Sequence, residues 1–96
     1  MTDMLPIVEL LADCQSHAER RDWLMRCPNW IFHREHLVLR RLLQGAGLLA
    51  GVAYVEAKLA EQMATRLSDG SIPITVLSAV YIAETDLKIS ARQEGI

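Results

Sequence analysis

The stretch Leu42–Gly51, LLQGAGLLAG, places three of the chain's five glycines within its most apolar segment. How the backbone passes through it decides the fold. If a helix runs on from Asn29 to Leu67, it is roughly 38 residues long, far beyond the usual three to four turns. If Gly45-Ala46-Gly47 turns instead, two antiparallel helices form an αα-hairpin, with glycine supplying the positive φ that ends the first helix. A glycine in a helix interior costs up to about 1 kcal/mol relative to alanine. Two so close together favour the turn, with one long central helix as the alternative.

Two other readings of this stretch fail. Gly45, Gly47 and Gly51 are spaced G-x-G-x-x-x-G, one residue away from a dinucleotide fingerprint, and they follow a helical pattern with no lysine placed for a phosphate loop. Arg40, Arg41 and Glu56 bracket the segment, and no window of about 18 residues is free of charge, so no membrane span is expected.

Elsewhere the pattern is helical. Pro6 suits the first turn of a helix reaching about Gln15, with Thr2 or Asp3 as its cap. Ser16-His17-Ala18-Glu19 has capping-box spacing and opens a second helix to Arg26, with continuation of the first as the alternative. Cys27-Pro28-Asn29 breaks the chain, and Asn29 is a good N-cap for a helix from Trp30 to Gln44. At 100° per residue, Phe32, His36, Leu39 and Leu43 share its apolar side, flanked by Ile31, Val38 and Leu42. Leu48–Leu67 follows, with Leu49, Val52, Ala53, Ala60, Met63, Ala64 and Leu67 on the face expected to point inward. Lys58, Glu61, Gln62, Thr65 and Asp69 are expected to point outward, and Gly70 to cap the end. Pro73 opens the last segment, Ile74 to Ala91. Its β-branched residues raise a strand reading, but Val76, Val80, Ala83 and Leu87 keep helical spacing.

The expectation is a single all-α domain over residues 1–96, a small bundle of four to five helices with a frayed tail from about Arg92. Apolar residues make up 51 % and charged residues 23 %, which excludes a disordered chain; aromatics are only 5 %. A chain of this size buries about 60–65 % of its unfolded surface, so self-association or a partner is expected to complete the core. The N-terminus lacks a basic region ahead of its apolar run, and Cys14 and Cys27 resemble no disulfide scaffold. A reducing cytoplasm is the expected location.

The net charge is −2 and the pI about 5.9, giving no global attraction to nucleic acid. The charge is uneven, however. Ser16–Gln44 contains six arginines against Glu19, Asp22 and Glu35, and all three histidines. Trp30, Arg34, Leu37, Arg40 and Arg41 gather on the polar side of the third helix. Arginine and tryptophan are typical of interaction hot spots. A second contact surface is expected at Gly47, Gly51 and Tyr54, where Gly51 lies away from the apolar face and leaves a groove for another helix.

Three classes of function are compatible with these features. The favoured one is a non-catalytic cytoplasmic interaction module, an adaptor, chaperone or inhibitor of a larger complex, homodimeric and binding a protein with an acidic surface. A helical DNA-binding transcriptional regulator is the alternative, weakened by the acidic balance of the chain. The third is a small enzyme or metal-binding protein using His36 and Glu56. Glu56 falls within the apolar face, where a buried carboxylate must be paired or protonated, and His36 is the natural partner. Cys14, His17, Cys27, His33 and His36 are zinc-ligand types, but their spacing matches no finger, and His33 and His36 diverge around the helix. No metal and no cofactor is expected.

Overall fold

The computed structural model describes residues 4–93. Among them are five helices and no strand: α1 Pro6–Ala12, α2 His17–Arg26, α3 Asn29–Gly45, α4 Leu49–Met63 and α5 Ile74–Gln93. The all-α bundle read from the sequence is the fold observed.

Pro6 opens α1, and the preceding Leu5 is extended without a side-chain cap; Thr2 and Asp3 lie outside the described residues. The helix ends at Ala12, earlier than expected. The capping box of α2 forms as its spacing requires. Ser16 Oγ accepts from the Glu19 N–H at 3.2 Å, while Glu19 Oε1 accepts from the N–H groups of Ser16 and Gln15 at 3.2 and 2.6 Å. Trp23 Nε1 donates to the Ile7 carbonyl at 2.9 Å and so fastens α2 to α1.

Asn29 does not cap α3. Pro28 occupies the extended boundary position (φ −62°, ψ 147°), and Asn29 is the first helical residue. Proline's fixed φ suits that place. Within α3, Glu35 leaves helical geometry (φ −113°, ψ 18°) and bends the helix.

The glycine stretch turns. Gly47 is left-handed at φ 83°. The Leu48 N–H reaches the Leu43 carbonyl at 2.9 Å, and the Gly47 N–H reaches that of Gln44 at 3.1 Å. This is the double bond of a Schellman motif, and Leu43 and Leu48, both buried, supply its apolar contact. Thus α3 and α4 form the hairpin, and the single long helix is excluded.

Helix α4 stops at Met63 rather than Leu67, and Ala64 is extended. Gly70 (φ 87°) serves a separate turn, in which its N–H meets the Leu67 carbonyl and the Leu67 N–H meets that of Ser71, both at 2.8 Å. The Leu67 amide is thereby spent on the loop. Beyond Pro73, whose carbonyl accepts from Val76 and Leu77, the β-branched segment is helical. Residues 94–96 lie outside the described part.

Helix α4 packs along both α3 and α5, α2 crosses α5, and α1 touches α3. One core joins Val8 and Leu11 of α1, Leu24 of α2, Phe32 and Leu39 of α3, and their counterparts on α4 and α5. The fold is therefore a row of three helices, α3–α4–α5, with α1 and α2 covering one side. It measures 43 × 36 × 18 Å, and its thin dimension suits two helix layers spaced about 8–10 Å between axes.

The orientation of α4 overturns the sequence expectation. Gly51, Tyr54 and Val55 are its buried residues, while Leu49, Ala53, Ala60 and Met63 are exposed. The inward side is the one that carries Lys58 and Gln62. Shape explains the choice. Tyr54 meets Phe32 edge-on, with ring centroids 5.9 Å apart. A Cβ on Gly51 would stand 3.2 Å from Leu43 Cδ2 and from Leu48 Cγ and Cδ2, so glycine lets α4 close on the Leu43–Leu48 pair. Lys58 and Glu61 pair at 3.1 Å near the edge of the core, and a lysine stem covers apolar surface while its charge stays near solvent. Among the described residues, no helix is long and apolar enough to cross a membrane.

Candidate protein-interaction surface

Helix α3 presents the arginine face as a ridge. Trp30, Arg34, Leu37 and Arg41 recur at spacings of four, three and four, so they stack along one side. The opposite side holds Ile31, Phe32, Leu39 and Leu43 fully in the core, which fixes the rotation of the helix. Trp30 is 55 % and Leu37 64 % exposed, and the Arg34 side chain is 64 % exposed. All four residues reach solvent.

The cations are only partly balanced. Arg34 Nε lies 3.4 Å from Glu35 Oε2. Arg40 stands off the ridge and bridges to Glu56 on α4 at 3.3 Å. The Arg40–Glu56 pair is open to solvent, where such bridges contribute about 0–1 kcal/mol, whereas Glu35 is largely covered beneath an exposed Arg34. The ridge is thus an exposed apolar pair, Trp30 and Leu37, alternating with Arg34 and Arg41.

Glu56 and His36 do not form the expected buried pair. Glu56 lies in the apolar stripe of α4, as the spacing required, but that stripe faces solvent, so the carboxylate is exposed and engages Arg40. His36 is half-buried, and its Nδ1 is enclosed without a hydrogen-bond partner.

The groove expected around Gly51 is also filled from within. Gly51 and Tyr54 are buried in the chain's own core, and Leu43 and Leu48 occupy the space that the glycine opens. Gly47 is exposed, but its role is the left-handed turn.

The two cysteines meet a shared cleft of about 410 Å³ between α1 and α2, lined also by Ile7, Leu10, Trp23 and Arg26. Burial pushes the Cys27 thiol up to about 12, against the pull of Lys58, and burial together with Glu19 raises Cys14. Both stay protonated at neutral pH and are weak nucleophiles. His17 Nδ1 contacts Arg20 at 2.6 Å. Among the described residues, no three His, Cys, Asp or Glu side chains gather as a metal site.

A surface absent from the sequence expectations is the bare side of the α4–α5 pair. Leu49, Met63 and Ile82 are 66, 67 and 59 % exposed. Between the helices runs a groove lined by Ala53, Ala57, Ala79 and Ile82, with Glu56 and Asp86 at its margins. Its signal was legible as the apolar stripe of α4, which the sequence assigned to the core.

Compared with protein-family models, curated proteins and solved structures, the chain finds no match in any of the three.

Proposed function

We propose that the chain is a small non-catalytic interaction module of the cytoplasm that docks on an acidic surface of another protein through the α3 ridge. The observation that carries this is the ridge itself. A tryptophan and a leucine alternate with two arginines on a helix whose other face is locked into the core, so the anchors are held in place before binding. Pre-organised aromatic and arginine anchors are what interaction hot spots are made of.

The acidic balance of the chain and the pairing of Arg34 and Arg40 with carboxylates favour a protein over nucleic acid. The solvent-exposed Glu56 and the protonated thiols favour binding over catalysis.

The test uses the full chain as bait alongside an Arg34→Glu/Arg41→Glu variant. A partner captured by the wild type is purified and titrated calorimetrically against both. The expected result is a direct complex that loses at least tenfold in affinity in the variant, equivalent to about 1.4 kcal/mol. A partner bound equally by both would overturn the proposal. So would tight binding of a random DNA duplex that collapses steeply with salt.

A further inference from the structure

We infer that the Asp69-Gly70 peptide, in the loop between α4 and α5, is a site of spontaneous backbone isomerisation, and that Ser71 sets its rate by holding the Asp69 carboxyl group. The α3 ridge plays no part in this inference, and either can fail alone.

The chemistry follows from the two residues. The amide nitrogen that follows an aspartate can attack the side-chain carbon Cγ. The N–Cγ bond forms, the amide proton and the carboxyl hydroxyl leave as water, and a five-membered succinimide ring results. Water then opens the ring. Addition at Cγ restores the normal chain. Addition at the α-carbonyl leaves the backbone running through Cβ and Cγ, with the α-carboxylate as the side group. No oxidant, reductant or cofactor enters. Ring closure is easiest where the following residue has no Cβ. Asp69-Gly70 is the chain's one Asp-Gly pair, and the other aspartates precede Met4, Cys14, Trp23 and Leu87.

The fold leaves the pair accessible. Asp69 and Gly70 are exposed and lie outside the helices, whereas Asp22 and Asp86 lie within α2 and α5. Even a Cβ built on Gly70 would meet nothing within 4 Å, so water reaches both ring carbonyls.

The same loop carries the brake. Asp69 Oδ1 accepts from the Ser71 N–H at 3.0 Å and from the Ser71 hydroxyl at 2.6 Å. This is a local turn closed by the side chain, and it points the carboxyl group past residue 70 toward residue 71. The Ser71 hydroxyl, followed by the Ser71 amide, lowers the Asp69 pKa. The group is thereby kept as a carboxylate, which has no hydroxyl to release. The attacking nitrogen is held as well. The Gly70 N–H donates to the Leu67 carbonyl at 2.8 Å, and Arg66 Nη1 donates to the Gly70 carbonyl at 3.2 Å. Of these groups, the Ser71 hydroxyl grips the carboxyl group itself and can be removed without altering a reacting atom. Isomerisation would lengthen the backbone by one carbon between residues 69 and 70. It would thus break the turn in which the Leu67 N–H meets the Ser71 carbonyl.

The experiment ages the reduced full chain, Ser71→Ala and Ser71→Thr for several weeks at physiological temperature and neutral pH. Digests are read by fragmentation mass spectrometry that separates normal from β-linked aspartate, and circular dichroism confirms that each chain stays folded. Ser71→Ala is expected to accumulate β-linked aspartate at residue 69 ahead of every other aspartate. Its rate is expected to exceed the wild-type rate at least about twofold, the lower end of what one hydrogen bond is worth. Ser71→Thr keeps the hydroxyl and is expected to match the wild type. Wild-type chain unfolded in guanidinium chloride releases every hold at once and is expected to convert at least about fivefold faster than the folded chain. Equal rates in folded Ser71→Ala and wild type would overturn the inference. So would earlier conversion at another aspartate, or an unfolded chain no faster than the folded one. The unfolded wild type keeps the test decisive if a variant fails to fold.

Discussion

Helices α3 and α4 are two arms of one hairpin, yet they obey amphipathic patterning differently. In α3, the side richest in large apolar residues is inside and the arginines are outside. In α4, the side with Leu49, Ala53, Ala60 and Met63 is outside, and Gly51, Tyr54, Lys58 and Gln62 turn toward the core. The contrast between faces is large in α3, where inward rotation of the other side would bury Arg34 and Arg41. It is small in α4, where both sides carry apolar bulk. There, shape decides: the Gly51 notch receives Leu43 and Leu48, and Tyr54 meets Phe32. An apolar stripe on a helix therefore says that the stripe must be covered. It does not say that the same chain covers it.

The comparison breaks most visibly at Phe32. Phe32→Ala removes a fully buried ring from the α3–α4 contact and is expected to cost about 3–5 kcal/mol. Leu37→Ala, on the exposed side of the same helix, is expected to stay within about 0.5 kcal/mol. Urea denaturation of both variants measures the difference, and equal losses would mean that α3 is rotated otherwise.

On α4 the informative pair lies two residues apart. Gly51→Leu forces a side chain against Leu43 and Leu48 and is expected to destabilise by about 1–3 kcal/mol. Leu49→Ala, the more conspicuous hydrophobic, is expected to change the dilute chain by only about 0.5 kcal/mol or less. The reverse ranking would restore the face that patterning suggests.

Glu56 sharpens the same point with a smaller effect. As an exposed partner of Arg40, its replacement by glutamine is expected to move the urea midpoint by less than about 1 kcal/mol equivalent. A loss of about 3–5 kcal/mol would be the mark of a broken buried pair.

Alkaline pH tests the same packing through ionisation. Burial, with Glu84, Glu61 and Cys27 nearby, pushes Tyr54 up to about 12, and burial pushes Cys27 to about 12. The unfolded chain releases these protons earlier, from near 9 for the thiol and 10 for the phenol. Between about pH 9 and 12 the folded state therefore binds more protons, and stability falls as pH rises. Denaturation at stepped pH is expected to show that decline, reduced in Tyr54→Phe and Cys27→Ala. An unchanged slope in both variants would place the two groups in contact with water.

Much of the fold was legible because its signals are local. The capping box at Ser16, the break at Pro28 and the helical spacing of Val76, Val80, Ala83 and Leu87 each act within a few residues. The α3–α4 turn was legible because glycine adopts the left-handed φ of residue 47 without a Cβ penalty. What could not be read depends on partners distant in sequence. The pattern around Gly51 suggests an external groove because Leu43 and Leu48, which fill it, are placed by the turn itself. Glu56 reads as buried from spacing alone because an apolar stripe does not say which chain covers it. Of the candidate surfaces, Trp30, Arg34, Leu37 and Arg41 lie exposed along α3 while Arg40 turns to Glu56, the Gly47–Tyr54 surface dissolved into core and turn, and the α4–α5 groove emerged only from the packing.

The most direct test of this account is hydroxyl-radical footprinting of the dilute chain, read by mass spectrometry. Leu49 and Met63 are expected to oxidise readily while Tyr54 stays protected. Oxidation of Tyr54 together with protection of Leu49 and Met63 would contradict the orientation of α4.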